Sequence, residues 1–142
     1  MRSLLDVNVL IALMDTDHVS HRTAMAWFAD HAAQGWASCP ITQNGCIRIM
    51  SHAGYPNAQS VAATVQRLRA ATTHPVHEFW PDDESLLDDR RIDASRVHGP
   101  RQLTDVYLLA LAVGHGGRLV TFDRTIATAA VHGASAQHLV LL

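Results

Sequence analysis

The spacing of apolar residues along the chain follows two patterns. Short apolar runs bounded by polar residues predict buried strands, whereas apolar residues three and four positions apart predict helices that bury one face. The first pattern predicts strands at residues 3–7, 36–39, 77–80, 118–122 and 138–142. The second predicts helices at residues 9–14, 21–33, 40–52, 57–72, 103–115 and 125–131.

Capping residues and glycines support these boundaries. Ser20 and Asn57 are expected to cap the helices that follow them, and Gly116 to end the helix before it. Residues 81–99 are polar and acidic and predict only short helical pieces. Because strands alternate with helices, we expect an α/β fold of the three-layer α/β/α sandwich type, with a central, mostly parallel sheet of four to five strands. Residues 1–142 are expected to form a single domain.

Three aspartates lie where this fold would bring them together. Asp6 and Asp123 each end a predicted strand, and Asp105 lies in the first turn of the helix predicted at residues 103–115. Parallel sheets bind ligands beyond the carboxyl ends of their strands, so these carboxylates can converge on one edge. Carboxylates that crowd together repel one another unless a cation lies between them. The spacing therefore points to a magnesium site, because Mg²⁺ prefers oxygen ligands.

Each of the three acids also has a purely structural interpretation. Asp6 and Asp123 could cap the helices that follow them, and Asp105 could interact with the dipole of its own helix. The residues alone leave these alternatives open. The apolar surroundings of Asp6 and Asp105 nevertheless favour a bound cation, because an unpaired carboxylate is costly there.

Composition narrows the function further. The 142 residues are 48% hydrophobic and 17% charged, with a net charge of −2, so no overall positive field attracts nucleic acid. All 11 basic residues are arginine, which excludes any mechanism that needs a lysine. The two cysteines, Cys39 and Cys46, are expected to be reduced core thiols. No apolar run is long enough to span a membrane, and Asp6 and Asn8 interrupt the apolar start, so we expect a cytoplasmic protein.

Three motifs in this order resemble those of PIN-domain ribonucleases. The opening LLDVNVL, residues 4–10, is similar to the first motif of that family, in which Asn, Thr or Ser stands two positions after the acid. TDVYLLALA, residues 104–112, resembles the third-acid helix, and LVTFD, residues 119–123, resembles the fourth-acid strand. Residues 35–48 and the FWPDD segment at 79–83 further resemble VapC toxins of the mycobacterial type.

The resemblance implies a function and a set of residue roles. It implies a magnesium-dependent endoribonuclease, with Mn²⁺ as a possible substitute, that acts as the toxin of a type II toxin–antitoxin system and inhibits translation by hydrolysing RNA phosphodiester bonds. Asp6 and Asp105 would be the main metal ligands, and Asp123 would complete the site and position or deprotonate the attacking water. The partners would be a VapB antitoxin and a second copy of the chain. Outer hydrogen-bond donors would be Asn8, Thr104 and Thr121.

One position departs from the family pattern. The family usually has a glutamate three residues after a threonine on the helix that follows the second strand, and Gly45 stands there after Thr42. This weakens a site with two metal ions. Gln43 or Asn44 could supply a neutral oxygen, although a helix-surface role suits them better. Asp15 and Asp17 could replace the missing acid only if their loop folds back.

Basic and aromatic residues are the remaining candidates for contacts with RNA. Three arginines near the motifs could contact RNA phosphates, or could be ordinary surface residues: Arg48, Arg101 and Arg124. The tryptophans at 27, 36 and 80 are expected in the core or at a dimer contact.

A zinc site lacks the usual ligand spacing, and receiver domains and haloacid-dehalogenase-like phosphatases would need a lysine. The main alternative is a non-catalytic PIN-like module that binds RNA or protein, which the missing glutamate favours.

Overall fold

Five parallel strands form one sheet in the computed structural model, which describes all residues, 1–142. The order across the sheet is β3-β2-β1-β4-β5. The first strand is therefore central, with Leu4 opposite Ala37 on one side and Leu119 on the other. The strands are β1 (Ser3–Leu5), β2 (Trp36–Ser38), β3 (His77–Phe79), β4 (Arg118–Thr121) and β5 (Leu139–Leu141).

Helices cover both faces of the sheet and complete a three-layer α/β/α sandwich. Leu4 and Leu119 point to one face, where they pack under the last helix, and Leu5 and Val120 point to the other face. This alternation follows from the two-residue repeat of a strand. The α/β class and the mostly parallel sheet of four to five strands predicted from the sequence are confirmed, and the sheet has five strands, all parallel. The helices are α1 (Val7–Met14), α2 (His21–His31), α3 (Pro40–Met50), α4 (Val61–Thr72) and α5 (Leu103–Gly114).

Three local predictions differ from the structure. Ser20 stands at the N-cap position of α2, but its side chain makes no capping hydrogen bond. Residues 125–131 contain only a short 3₁₀ turn, Thr128–Ala130, because nearby backbone groups pair with another segment: Asp93 N donates to Ala130 O at 2.8 Å. Asn57 has a φ of 56° and lies in a turn, so it does not cap α4. Ser60 caps α4 instead, and its side chain accepts from Ala63 N at 3.1 Å.

The core contains the cysteines and two of the three tryptophans. Cys39 and Cys46 are buried and free, and burial raises the pKa of each thiol to about 11, as expected for unreactive core thiols. Trp36 and Trp80 are also buried. No helix is long and apolar enough to span a lipid bilayer.

Candidate active site at the carboxyl edge of the sheet

Asp6 lies directly after the central strand and begins α1. One carboxylate oxygen, Oδ1, accepts from Val7 N at 2.7 Å, and Oδ2 accepts from Thr121 Oγ1 at 2.6 Å. Asp6 is only 6% exposed. Burial raises its pKa, the hydrogen bonds from Thr121 and Val7 lower it, and the charge of Asp123 raises it further. Asp6 therefore does cap α1, and its carboxylate also lies near Asp105 and Asp123.

Thr121, at the end of β4, joins Asp6 to two neighbours. Its Oγ1 accepts from Asn8 Nδ2 at 3.3 Å and from Asp123 N at 3.0 Å. The Asn8 Nδ2 and Asp123 N groups can only donate, so the single hydroxyl hydrogen of Thr121 must point at Asp6. Asn8 Oδ1 accepts from Phe122 N at 3.3 Å, so the Asn8 amide holds β4 and reaches Asp6 only through Thr121.

Asp105 and Asp123 have opposite electrostatic environments. Burial, the charges of Asp6 and Asp123, and a side-chain hydrogen bond with Asp123 raise the pKa of Asp105 to about 7. Asp123 Oδ1 accepts from Thr125 Oγ1 at 2.6 Å and from Thr125 N at 2.7 Å. These bonds hold the pKa of Asp123 below its usual value. Asp123 therefore stays ionised at neutral pH, while Asp105 is poised to hold a proton.

The donor set fits a hard divalent cation. The three carboxylates perturb one another's pKa, and carboxylate oxygens are ligands that suit Mg²⁺ or Mn²⁺. No group of three or more Asp, Glu, His or Cys side chains in this structure is placed to hold one metal ion together. Each Asp6 oxygen accepts one hydrogen bond and keeps a further lone pair, whereas Asp123 Oδ1 already accepts two.

The position of the missing family acid is closed by helix packing. Gly45 is buried on α3 against α1, and a Cβ atom there would lie 2.6 Å from Val7 Cγ2. The Gln43 side chain is held by β2, because its Nε2 donates to Ser38 Oγ at 2.9 Å. Asn44 is exposed and its side chain makes no hydrogen bond. Neither side chain makes a hydrogen bond to Asp6, Asp105 or Asp123.

Asp15 and Asp17 do not replace the missing acid. Asp6 begins α1, whereas Asp15 caps the opposite end of that helix and accepts from the Tyr55 hydroxyl. Asp17 is exposed, and its backbone N–H donates to Asp15 at 3.0 Å. The loop that carries Asp15 and Asp17 does not fold back to the acids, because it lies at the other end of α1.

The other predicted contact residues lie on the surface. Thr104 is exposed and its hydroxyl has no protein partner, so its predicted role as an outer donor to the acids is not seen. Arg101 precedes α5 and Arg124 follows Asp123, and both are exposed without an ion pair. Arg48 is exposed near the end of α3.

Sequence reasoning missed one further side chain at this edge. Gln102, directly before α5, accepts from His98 N at 2.9 Å through Oε1 and donates to Thr125 O at 3.1 Å through Nε2. Only its position beside Arg101 and the third-acid helix could have drawn attention to it.

Comparison with known proteins identifies the family. The sequence profile of the PIN domain matches residues 3–132. This chain belongs to the PIN-domain family. This PIN domain is 56% identical to Ribonuclease VapC44 of Mycobacterium tuberculosis over 142 residues, 100% of each protein. It is 43% identical to Ribonuclease VapC39 of the same organism over 134 residues, 94% of this chain and 96% of that one. The predicted membership of the VapC group is thereby confirmed.

A solved structure supports the fold independently. A chain in the crystal structure of VapBC2 from Rickettsia felis bound to a DNA fragment from their promoter matches this PIN domain with a TM-score of 0.59. The match covers 100% of this chain and 98% of that chain at 12% sequence identity. At that identity the likeness concerns the three-layer fold.

Proposed function

We propose that this PIN domain is a divalent-metal-dependent endoribonuclease and the toxin of a VapBC toxin–antitoxin pair. The relatives named as ribonucleases support hydrolysis of RNA. The observation that carries the metal dependence is the burial of Asp105 beside the charges of Asp6 and Asp123, which together raise its pKa to about 7. A cation at this edge would relieve that repulsion.

Each acid has a role in this proposal. Asp6 and Asp105 would hold Mg²⁺ or Mn²⁺, and Asp123 would complete the site. The bound cation would polarise the scissile phosphate and lower the pKa of water. The hydrogen bond from Thr121 orients Asp6 and lowers its pKa, opposing the effect of burial. Asp123 would position the attacking water or accept its proton on Oδ2, the oxygen that Thr125 leaves free, and the leaving 3′-oxygen would take a proton from solvent. The products carry a 5′-phosphate and a 3′-hydroxyl.

The arginines beside the acids supply contacts to the RNA backbone. Arg101 and Arg124 are exposed, carry no ion pair and lie next to the elements that present Asp105 and Asp123. Because the chain has no lysine, phosphate contacts near the cation depend on arginine and backbone amides. Arg48, farther along α3, would contact phosphates at the edge of the site.

The partners follow from the relatives. The Rickettsia felis structure is a VapBC complex, and the M. tuberculosis relatives carry the VapC name. We infer a VapB antitoxin as the partner that restrains this nuclease, and a homodimer as the form of the toxin. Cleavage of cellular RNA would inhibit translation in the absence of that antitoxin.

Purified protein and end-labelled RNA test the nuclease. We expect cleavage with Mg²⁺ or Mn²⁺, none with EDTA, and none by the Asp105→Asn variant at an unchanged circular-dichroism spectrum. Asp89→Asn is the control, because Asp89 is an exposed aspartate outside the site. Cleavage that persists in EDTA would contradict the metal site. Gly45 favours the non-catalytic alternative, which predicts RNA binding without cleavage under all these conditions.

A further inference from the structure

The first turn of α5 presents Asp105 but has little packing to hold it. The buried residues of α5 run from Val106 to Ala112, whereas Leu103 is 40% exposed and Thr104 is also exposed. The core therefore fixes the body of the helix and leaves its first turn dependent on polar contacts. Gln102, at the N-cap position of α5, supplies such contacts.

The Gln102 side chain bridges two loops at the candidate site. It accepts from His98 N at 2.9 Å and donates to Thr125 O at 3.1 Å. Its orientation is fixed, because a backbone N–H only donates and a backbone carbonyl only accepts. The side chain therefore ties the loop that leads into α5 to the loop that follows β4.

Each of these loops adjoins a carboxylate of the site. Asp105 lies one helical turn after Gln102, and Thr125 donates two hydrogen bonds to Asp123. Asp105 and Asp123 repel when both are ionised, which would push the two loops apart. The Gln102 bridge opposes that separation without adding charge.

We propose that Gln102 is a positioning residue that sets the separation of Asp105 from Asp123, and through it the affinity of the site for a divalent cation. This inference rests on the proposed function, since it takes the three aspartates as the cation ligands. Gln102 has no role as a ligand in it. The side chain acts through Thr125 and the helix start.

Gln102→Met tests this with little change in side-chain length, because Met removes both hydrogen bonds. Gln66→Met is the matched control, since Gln66 is exposed on α4 and makes no side-chain hydrogen bond. We expect Mn²⁺ titrated by calorimetry to bind Gln102→Met about 10-fold more weakly than wild type, the range for loss of a group that orients metal ligands. The control is expected to match wild type, and the melting temperatures to stay close.

RNA cleavage distinguishes this role from a general structural defect. The rate of Gln102→Met is expected to fall about 10-fold at limiting Mn²⁺ and to return to near the wild-type rate at saturating Mn²⁺. Hydrogen exchange without metal is a second measurement. It should be faster at residues 98–105 and 123–126 and unchanged in α4.

The outcomes separate the two proposals. Wild-type protein that neither binds Mn²⁺ nor cuts RNA would overturn the proposed function. Wild-type protein that binds Mn²⁺, together with a Gln102→Met variant of equal affinity and equal hydrogen exchange, would overturn the role of Gln102 alone. A loss of activity that saturating Mn²⁺ does not restore would also overturn it.

Discussion

Replacing Asp105 with asparagine should stabilise the metal-free protein in a pH-dependent way. The pKa of Asp105 is raised from its ordinary value of 3.8 to about 7, first by burial and then by the charges of Asp6 and Asp123. A group whose pKa is raised in the folded state loses its stabilising contribution as the pH rises from its unfolded toward its folded pKa. For Asp105 that window runs from about pH 4 to about pH 7. Above it, folding must place a third charge among the carboxylates.

The size of the effect follows from the same values. The difference between 3.8 and about 7 corresponds to roughly 4 kcal/mol at 1.36 kcal/mol per pKa unit. Asp105 is only half-buried, so solvent screening reduces this to about 1–2 kcal/mol. The asparagine side chain carries no charge, and its amide can still donate to Asp123. We therefore expect Asp105→Asn to be about 1–2 kcal/mol more stable than wild type at pH 8, and to differ much less at pH 5.

Urea denaturation in EDTA measures this difference at both pH values. Asp89→Asn, an exposed substitution in the loop after β3, serves as the control and is expected to show no such pH dependence. Saturating Mg²⁺ or Mn²⁺ should reverse the order at pH 8, because wild type gains binding energy that the variant lacks. Equal stability of wild type and Asp105→Asn at pH 8 in EDTA would refute the crowding of the three carboxylates.

Three further predictions concern the residues around the acids. Gly45→Ala should cost about 1–2 kcal/mol in urea denaturation, because its Cβ would lie 2.6 Å from Val7 Cγ2. The same change in a Val7→Ala background should be neutral or stabilising, and an equal cost in both backgrounds would contradict the contact. The rate of RNA cleavage should fall at least 10-fold in Thr121→Val, whereas Thr121→Ser should keep most of it, because only serine retains the hydroxyl that donates to Asp6. An equal loss of rate in both variants would contradict the role of that hydrogen bond. Arg124→Gln should weaken the salt dependence of RNA binding in EDTA, measured by fluorescence anisotropy. The slope of the logarithm of the binding constant against the logarithm of the salt concentration should become less steep by about 0.7. Arg22→Gln, an exposed change on α2, should leave the slope unchanged, and equal effects would contradict the phosphate contact.

The sequence was sufficient for the architecture and for the convergence of the acids. Each predicted strand lies within one or two residues of the observed one, because buried parallel strands are short apolar runs with clear polar ends. In a parallel sheet the carboxyl ends of the strands share an edge, and this places Asp6 and Asp123 together from topology alone. The third acid, Asp105, follows because α5 packs over the same strands.

Other features depend on contacts that no local pattern contains. Residues 125–131 have apolar spacing suited to a helix, but Asp123 binds Thr125 and the segment near Ala130 pairs with residues 91–93. Asn57 is a good helix cap by residue type, yet the turn before α4 places it in the left-handed region. Gln102 bridges residues that lie four and twenty-three positions away. Such side-chain bridges require the folded chain, so composition and spacing cannot reveal them.

The central place of β1 in the sheet has a consequence for biosynthesis. The hydrogen bond from Thr121 to Asp6 joins residues 115 positions apart, so the first strand emerges from the ribosome long before its β4 neighbour. At 5–20 residues per second that interval is about 6–23 s. During this interval the nascent chain lacks Asp123, and the carboxyl edge of the sheet has not yet formed. The edge at which the three aspartates meet, proposed above as the catalytic centre, therefore cannot form until Asp123 has been added to the nascent chain.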